Sequence, residues 1–148
     1  GKIAVREYIK HNGAVCIIAL TDDNMIYLVR QFRYPFKRVE LELPAGKIDE
    51  GEAPIDAAFR ELEEEIGMKA NSMEYLGEFL PTVAYSTEII YIYVAKELIK
   101  SAQNLDEDEF INVELMPLDT LKKMILTGEV CDGKTMAAVL KYINLYNK

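Results

Sequence analysis

At 148 residues the chain has the length of one compact domain, and with half of it hydrophobic and 28% charged it has enough apolar material for a core. No apolar run approaches the roughly 20 residues that a membrane-spanning helix needs, and no basic-then-apolar leader opens the chain. A net charge of −8 argues against generic nucleic-acid binding, because such a surface cannot neutralise a phosphate backbone, while a small anionic substrate could still be held through a cation. The chain begins at Gly1 rather than methionine, as expected where upstream sequence has been removed. Cys16 and Cys131 lack metal-type spacing, and Cys16, inside an apolar run, reads as a buried thiol. The expectation is a reduced, cytoplasmic protein.

In chain order, residues 2–10 alternate loosely, with Ile3, Val5, Tyr8 and Ile9 apolar, and read as a short strand. Residues 14–20 form a continuous apolar run, the pattern of a buried strand. Residues 21–24 (Thr-Asp-Asp-Asn) are a turn and residues 25–30 a further strand, so the two strands predict a hairpin with a four-residue loop. Pro35 ends regular pairing. A short stretch over residues 39–43 leads to the turn signal Pro44-Ala45-Gly46. After an acid- and glycine-rich loop, Pro54 opens a helix, tolerated in the first turn, that runs to about Ile66 and is capped by Gly67. Residues 74–80 and 88–95 are two strands, residues 103–110 an acidic loop and residues 110–115 a last strand. Residues 117–126 and 133–146 are closing helices. The chain has no internal repeat, low-complexity tract or linker.

The helix over residues 54–66 carries the chemistry. At 100° per residue, Ile55, Phe59, Leu62 and Ile66 share a narrow arc and predict the buried face. Glu61, Glu64 and Glu65, spaced i, i+3, i+4, share a neighbouring arc, with Arg60 at its far edge and Glu63 pointing elsewhere. At about 5 Å and an effective dielectric near 20, each pair of these carboxylates repels by roughly 3 kcal/mol. A divalent cation removes that cost, and hard oxygen ligands suit Mg²⁺ or Mn²⁺. Glutamate-rich helices are nevertheless common, and most present only a solvated face.

The surrounding pattern decides between these readings. From Gly46 the chain reads glycine, five residues, Glu52, seven residues, Arg60-Glu61-Leu62, Glu63, Glu64-Glu65, Ile66, Gly67 and the apolar Met68. This matches in full the signature of the Nudix hydrolases. At average residue frequencies its nine specified positions recur by chance about once in 10⁹ starts. Gln31-Phe32-Arg33-Tyr34-Pro35 and Glu42-Leu43-Pro44-Ala45-Gly46 precede the match, and residues 81–88, 106–110 and Asp132-Gly133-Lys134-Thr135 follow it. With these, the chain over nearly all its length resembles the ADP-ribose pyrophosphatase branch of that family.

The resemblance implies an α/β fold over residues 1–148 as a single domain, a Nudix-type α/β/α sandwich with a mixed sheet, assembled as a homodimer. Many members of the branch carry extra N-terminal strands at the dimer contact, and this chain starts late relative to them. The resemblance further implies Mg²⁺, or Mn²⁺ in its place, held by Glu61 and Glu65, with Glu64 direct or through water, the backbone carbonyl of Ala45 and Glu109. Glu107 is matched as the base that takes a proton from the attacking water, in a run of four acids whose register stays open by one residue. Arg33 is matched to an arginine that grips the substrate diphosphate, for which its bidentate donors suit it. Arg60 is expected to orient the glutamates and Glu52 to support the loop before the helix. Tyr8, Tyr27 and Tyr34 could stack on a base, though core packing is the default for each, and His11 reads as an ordinary residue.

The chemistry fits these residue types. Two anionic phosphoryl groups repel an incoming hydroxide, a divalent cation neutralises that charge and acidifies water, and a carboxylate accepts the proton. The expected reaction is hydrolysis of ADP-ribose or a related nucleoside-diphosphate sugar to AMP and a sugar phosphate. One departure bears on the substrate: where the branch often has proline in the loop at residues 82–84, this chain has Val83 and Ala84. Two other readings stay open, hydrolysis of another compound such as a modified nucleoside triphosphate or dinucleotide, and a catalytically silent nucleotide-binding module. The retained Glu61, Glu64 and Glu65 argue against the last.

Overall fold

The computed structural model describes residue 1, residues 3–105 and residues 110–146. Its strands are β1 (Ala14–Ala19), β2 (Met25–Arg33), β3 (Arg38–Glu42), β4 (Ala45–Lys47), β5 (Met68–Phe79), β6 (Ile90–Lys100) and β7 (Ile111–Pro117). The helices are α1 (Pro54–Ile66), α2 (Leu118–Thr127) and α3 (Gly133–Tyr146). The strands form a mixed four-stranded sheet in the order β4-β1-β6-β5 and a three-stranded sheet in the order β3-β2-β7. β1 and β6 run parallel with Ala14 opposite Ile90, and the other named strand pairs are antiparallel.

All six residues of β1 are buried, because helices cover both faces of the sheet around it. Val15, Ile17 and Ala19 share a cluster with Ala57, Ala58, Leu62 and Ile66 of α1. Cys16 and Ile18 share the opposite cluster with Leu121 and Ile125 of α2 and Ala138, Val139 and Ile143 of α3. This is the expected α/β/α layering with a mixed sheet. No helix among the described residues is long and apolar enough to cross a membrane.

Several sequence expectations are corrected. β1 and β2 are not a hairpin: they belong to different sheets, and the pairing between their segments is the isolated bridge Leu20–Ile26. A strand buried on both faces needs cover from two layers, and β1 finds its edge partners in β4 and β6 instead. The hairpin in this region is β2–β3, closed by the turn around Pro35. Residues 3–8 form no strand, and Ile3, Val5 and Tyr8 are exposed. Ile9 alone makes a parallel bridge, to Ser86. Tyr8 and Tyr34 are exposed rather than packed in the core, whereas Tyr27 packs against the α1-side cluster. β5 and β6 extend well beyond the expected strands at residues 74–80 and 88–95, because each supplies the other's hydrogen-bonding edge over ten register pairs.

Candidate active site

Helix α1 enters with Pro54 in its first turn and ends at Gly67, whose left-handed backbone (φ 65°) lets its N–H close on the Glu63 carbonyl. Gln103 donates to the Glu65 carbonyl (2.6 Å) and the Asn104 N–H to that of Glu64 (3.0 Å), so two more terminal carbonyls are satisfied. The buried residues of the helix are Ala57, Ala58, Glu61, Leu62, Glu65 and Ile66. Here the expected face is corrected: Leu62 and Ile66 are inside, but Ile55 and Phe59 are exposed at 41% and 37%. The small side chains of Ala57 and Ala58 let the helix settle on the sheet, which turns the larger pair to the flank. The same rotation carries Glu61 (8% exposed) and Glu65 (2%) inward, and buried carboxylates are rare unless a partner or a function holds them there.

Strand β4 lies across these carboxylates. The Ala45 N–H donates to Glu65 Oε2 (2.8 Å). Gly46 is so close to Glu61 that a β-carbon there would overlap all three atoms of its carboxylate group. Arg60 ties the acidic cluster together. Its Nη1 donates to Glu61 Oε1 (2.7 Å) and Glu64 Oε2 (2.9 Å), its Nε and Nη2 grip Glu52 (both 2.9 Å), and Nη2 also reaches the Lys47 carbonyl (3.0 Å). The hydrogen bonds to Glu52, then to Glu61 and Glu64, hold the guanidinium above the usual arginine pKa despite partial burial, and Arg60 in turn lowers Glu52. Glu52 also accepts from the Asp49 N–H (3.0 Å), so it supports the loop before the helix as expected.

A cleft of about 600 Å³ opens over this cluster, lined by Glu61, Glu64, Glu65, Arg60, Ala45, Gly46, Lys47, Asp49, Gln31 and Arg33. Arg33 also walls a neighbouring cleft of about 370 Å³ that holds Phe36, Arg38, Glu42, Asp132 and Lys134. Its guanidinium forks onto Glu42, Nε to Oε1 and Nη2 to Oε2, both at 2.6 Å. Lys134 donates to the same Oε2 and to Asp132 Oδ2 (3.1 Å). Burial pushes the Glu42 carboxyl up, but the bonds from Arg33 and the charge of Lys134 outweigh it and hold the group below the usual range. Burial lowers Lys134, and Asp132 and Glu42 more than offset that.

Of the residues singled out in the sequence, Ala45, Glu61, Glu64, Glu65, Arg60 and Arg33 therefore meet in one cleft. Glu107 and Glu109 lie outside the described residues. His11 is ordinary: its Nδ1 accepts the Gly13 N–H (2.9 Å). Sequence reasoning gave no task to Gly46, Glu42, Lys134 or Thr135, although all four stand in the motifs that carried the resemblance.

A divalent cation is tested here on donor chemistry. Among the described residues no group of three or more histidine, cysteine, aspartate or glutamate side chains is arranged to hold a metal ion. Arg60 takes up oxygens of Glu61 and Glu64, and the Ala45 N–H one of Glu65. The donors themselves suit a hard cation: two buried carboxylates one turn apart, the partly exposed Glu64 beside them, and the Ala45–Gly46 backbone across the cleft. By donor type the residues fit such an ion, and in this arrangement Arg60 occupies the Glu61 and Glu64 oxygens it would use.

Comparison with known proteins bears on the family. Residues 10–139 match the family model described as the NUDIX domain. The chain is 40% identical over 147 residues to a Bacillus subtilis (strain 168) protein named ADP-ribose pyrophosphatase, covering 98% of this chain and 79% of the relative. It is 42% identical over 147 residues, with the same coverage, to a Bacillus methanolicus protein named methanol dehydrogenase activator. A solved structure titled as that of an ADP compounds hydrolase superposes with a TM-score of 0.83 at 27% identity, covering 91% of this chain and 72% of that one.

Proposed function

The chain belongs to the NUDIX family, and from that premise we propose that residues 1–148 act as one hydrolase domain on the pyrophosphate bond of ADP-ribose or a closely related nucleoside-diphosphate sugar. Water adds across the P–O–P linkage, giving AMP and ribose 5-phosphate in the first case. The observation that carries this reading is the burial of Glu61 and Glu65 on one face of α1, under the Ala45–Gly46 backbone and open to a cleft shared with Arg33. No packing demand puts two carboxylates there. The name of the 40% identical relative supports the choice of substrate.

In this site Glu61 and Glu65, with Glu64, the Ala45 carbonyl and Glu109, are the groups that would hold Mg²⁺, or Mn²⁺ in its place. When bound, the cation neutralises phosphoryl charge and acidifies water. Arg33 presents its guanidinium to the diphosphate. Arg60 positions the carboxylates and does not touch the substrate. Glu107 takes the proton of the attacking water. If Glu109→Gln rather than Glu107→Gln lowers turnover without loss of metal affinity, the two acids exchange roles. A cytoplasmic location belongs to the same reading. The protein is further expected to be a homodimer, a reading that sedimentation as a monomer at micromolar concentration removes.

The test is release of AMP from ADP-ribose with Mg²⁺, beside nucleotide sugars, dinucleotides and nucleoside triphosphates. Strong preference for ADP-ribose supports the reading. Preference for another compound keeps the site and moves the specificity, with Val83 and Ala84 the first residues to exchange. Binding without turnover at any Mg²⁺ or Mn²⁺ concentration overturns the assignment as an enzyme.

A further inference from the structure

The first turn of α3 is tied to Glu42 at the end of β3 and to Leu43 just after it, each 92 positions away in sequence, by the side chains of Lys134 and Thr135. Lys134 reaches the Glu42 carboxylate, and the buried Thr135 hydroxyl accepts the Leu43 N–H (2.9 Å). Asp132 anchors both: its Oδ2 accepts from Thr135 Oγ1 (2.6 Å), the Thr135 N–H (3.0 Å) and Lys134 (3.1 Å). Leu43 is followed directly by Pro44, Ala45 and Gly46, the backbone that covers Glu61 and Glu65. The four charges alternate along a line, Arg33, Glu42, Lys134, Asp132. Only the Arg33 end is well exposed, its side chain at 39% against 3% for Glu42 and 12% for Lys134.

This order has a consequence for Arg33. Glu42 grips its guanidinium along the edge formed by Nε and Nη2, and Nη1 lies on the other side of the group. A buried glutamate with Arg33 as its sole partner would neutralise that arginine and compete with any incoming phosphate oxygen. Lys134 donates to the same Glu42 Oε2 that Arg33 Nη2 contacts, so the carboxylate is shared between two cations. We propose that Lys134, anchored by Asp132, is a positioning residue for hydrolysis: by sharing Glu42 it holds Arg33 side-on while leaving the rest of that guanidinium for the substrate diphosphate. This rests on the reading of Arg33 given above.

The experiment is a double-mutant cycle of Lys134→Met and Glu42→Gln on the full chain, with KM and kcat measured at saturating Mg²⁺ and Tm measured beside them. Lys134→Met is expected to raise KM about tenfold with kcat within about threefold, because an arginine–phosphate contact is weakened and the carboxylate cluster is untouched. In the Glu42→Gln background the same replacement is expected to leave KM unchanged, since Lys134 then has no carboxylate to share. An equal rise of KM in both backgrounds, an unchanged KM, or a fall in kcat that tracks Tm overturns the proposal. Should Lys134→Met fail to fold, Asp132→Asn, which keeps an oxygen acceptor for Thr135 and removes the charge, is expected to raise KM by a smaller factor, and an unchanged KM there overturns it equally. Wild-type turnover of ADP-ribose reports on the hydrolysis reading by itself. The cycle is run on whichever nucleoside-diphosphate compound the wild type cleaves, so the two failures are told apart.

Discussion

Gly46→Ala isolates how closely β4 and α1 must approach. Gly46 is absent from the glycines with positive φ, so alanine meets no backbone obstacle there and the whole effect comes from the added methyl group. A β-carbon at this position would lie inside the 3.4 Å lower edge of ordinary contact with the Cδ, Oε1 and Oε2 atoms of Glu61. The overlap is roughly an ångström or more for each, and overpacking against a rigid neighbour costs typically 1–3 kcal/mol. Here the neighbour is the far end of a flexible side chain, so Glu61 can retreat and the stability cost falls to the lower part of that range, about 1 kcal/mol. On the role proposed for Glu61, that retreat is expected to impair function. Mg²⁺ demands near-ideal geometry, and a misplacement of about 1 Å at a reacting centre can cost around 10²-fold. The expected variant is therefore folded, with Tm lowered by a few degrees. Its kcat/KM for the preferred substrate falls about 10²-fold, and its Mg²⁺ activation curve moves to higher concentration. Calorimetric titration with Mn²⁺ reads the metal affinity directly. Wild-type kcat/KM at subsaturating Mg²⁺ would refute the reasoning, because it would mean that Glu61 need not stay where the structure places it.

Glu65→Gln keeps the size of the side chain and an acceptor for the Ala45 N–H but removes a charge. Turnover should fall by at least ~10²-fold with little change in Tm, and full activity at saturating Mg²⁺ would count against the site. Cys16 is fully buried, and burial pushes its thiol up to about 12, whereas Cys131 is exposed. A chromogenic thiol reagent at mildly alkaline pH should label one cysteine in the native protein and two in denaturant, and rapid labelling of both in the native state would contradict the buried position of β1. Because the folded Glu42 carboxyl is held below its unfolded value, its contribution to stability is complete above that unfolded value. It is lost as pH falls through the lower, folded one, leaving Arg33 without its carboxylate partner and Lys134 with Asp132 alone. Urea midpoints should therefore drop across the acidic range, and Glu42→Gln should flatten part of that drop; an identical pH profile in the variant would show that Glu42 is not the group responsible.

Local signals in the sequence are those that act within a turn or two of chain. The span of α1, its Pro54 entry and Gly67 cap, and the i, i+3, i+4 spacing of Glu61, Glu64 and Glu65 all lie within 14 residues, where backbone geometry alone decides. The motif from Gly46 to Met68, with its flanking segments, was enough to indicate the family and the α/β/α layering. What tertiary structure alone decided depends on contacts distant in sequence. Which stripe of α1 is buried followed from Ala57 and Ala58 seating the helix on the sheet, against the hydrophobicity of Ile55 and Phe59. The partners of β1 followed from its need for cover on both faces, which a local hairpin with β2 cannot supply. The hold on Arg33 by Glu42, Lys134 and Asp132 joins β2, β3 and the start of α3. Buried charges choose partners by proximity in the folded molecule and not by spacing along the chain.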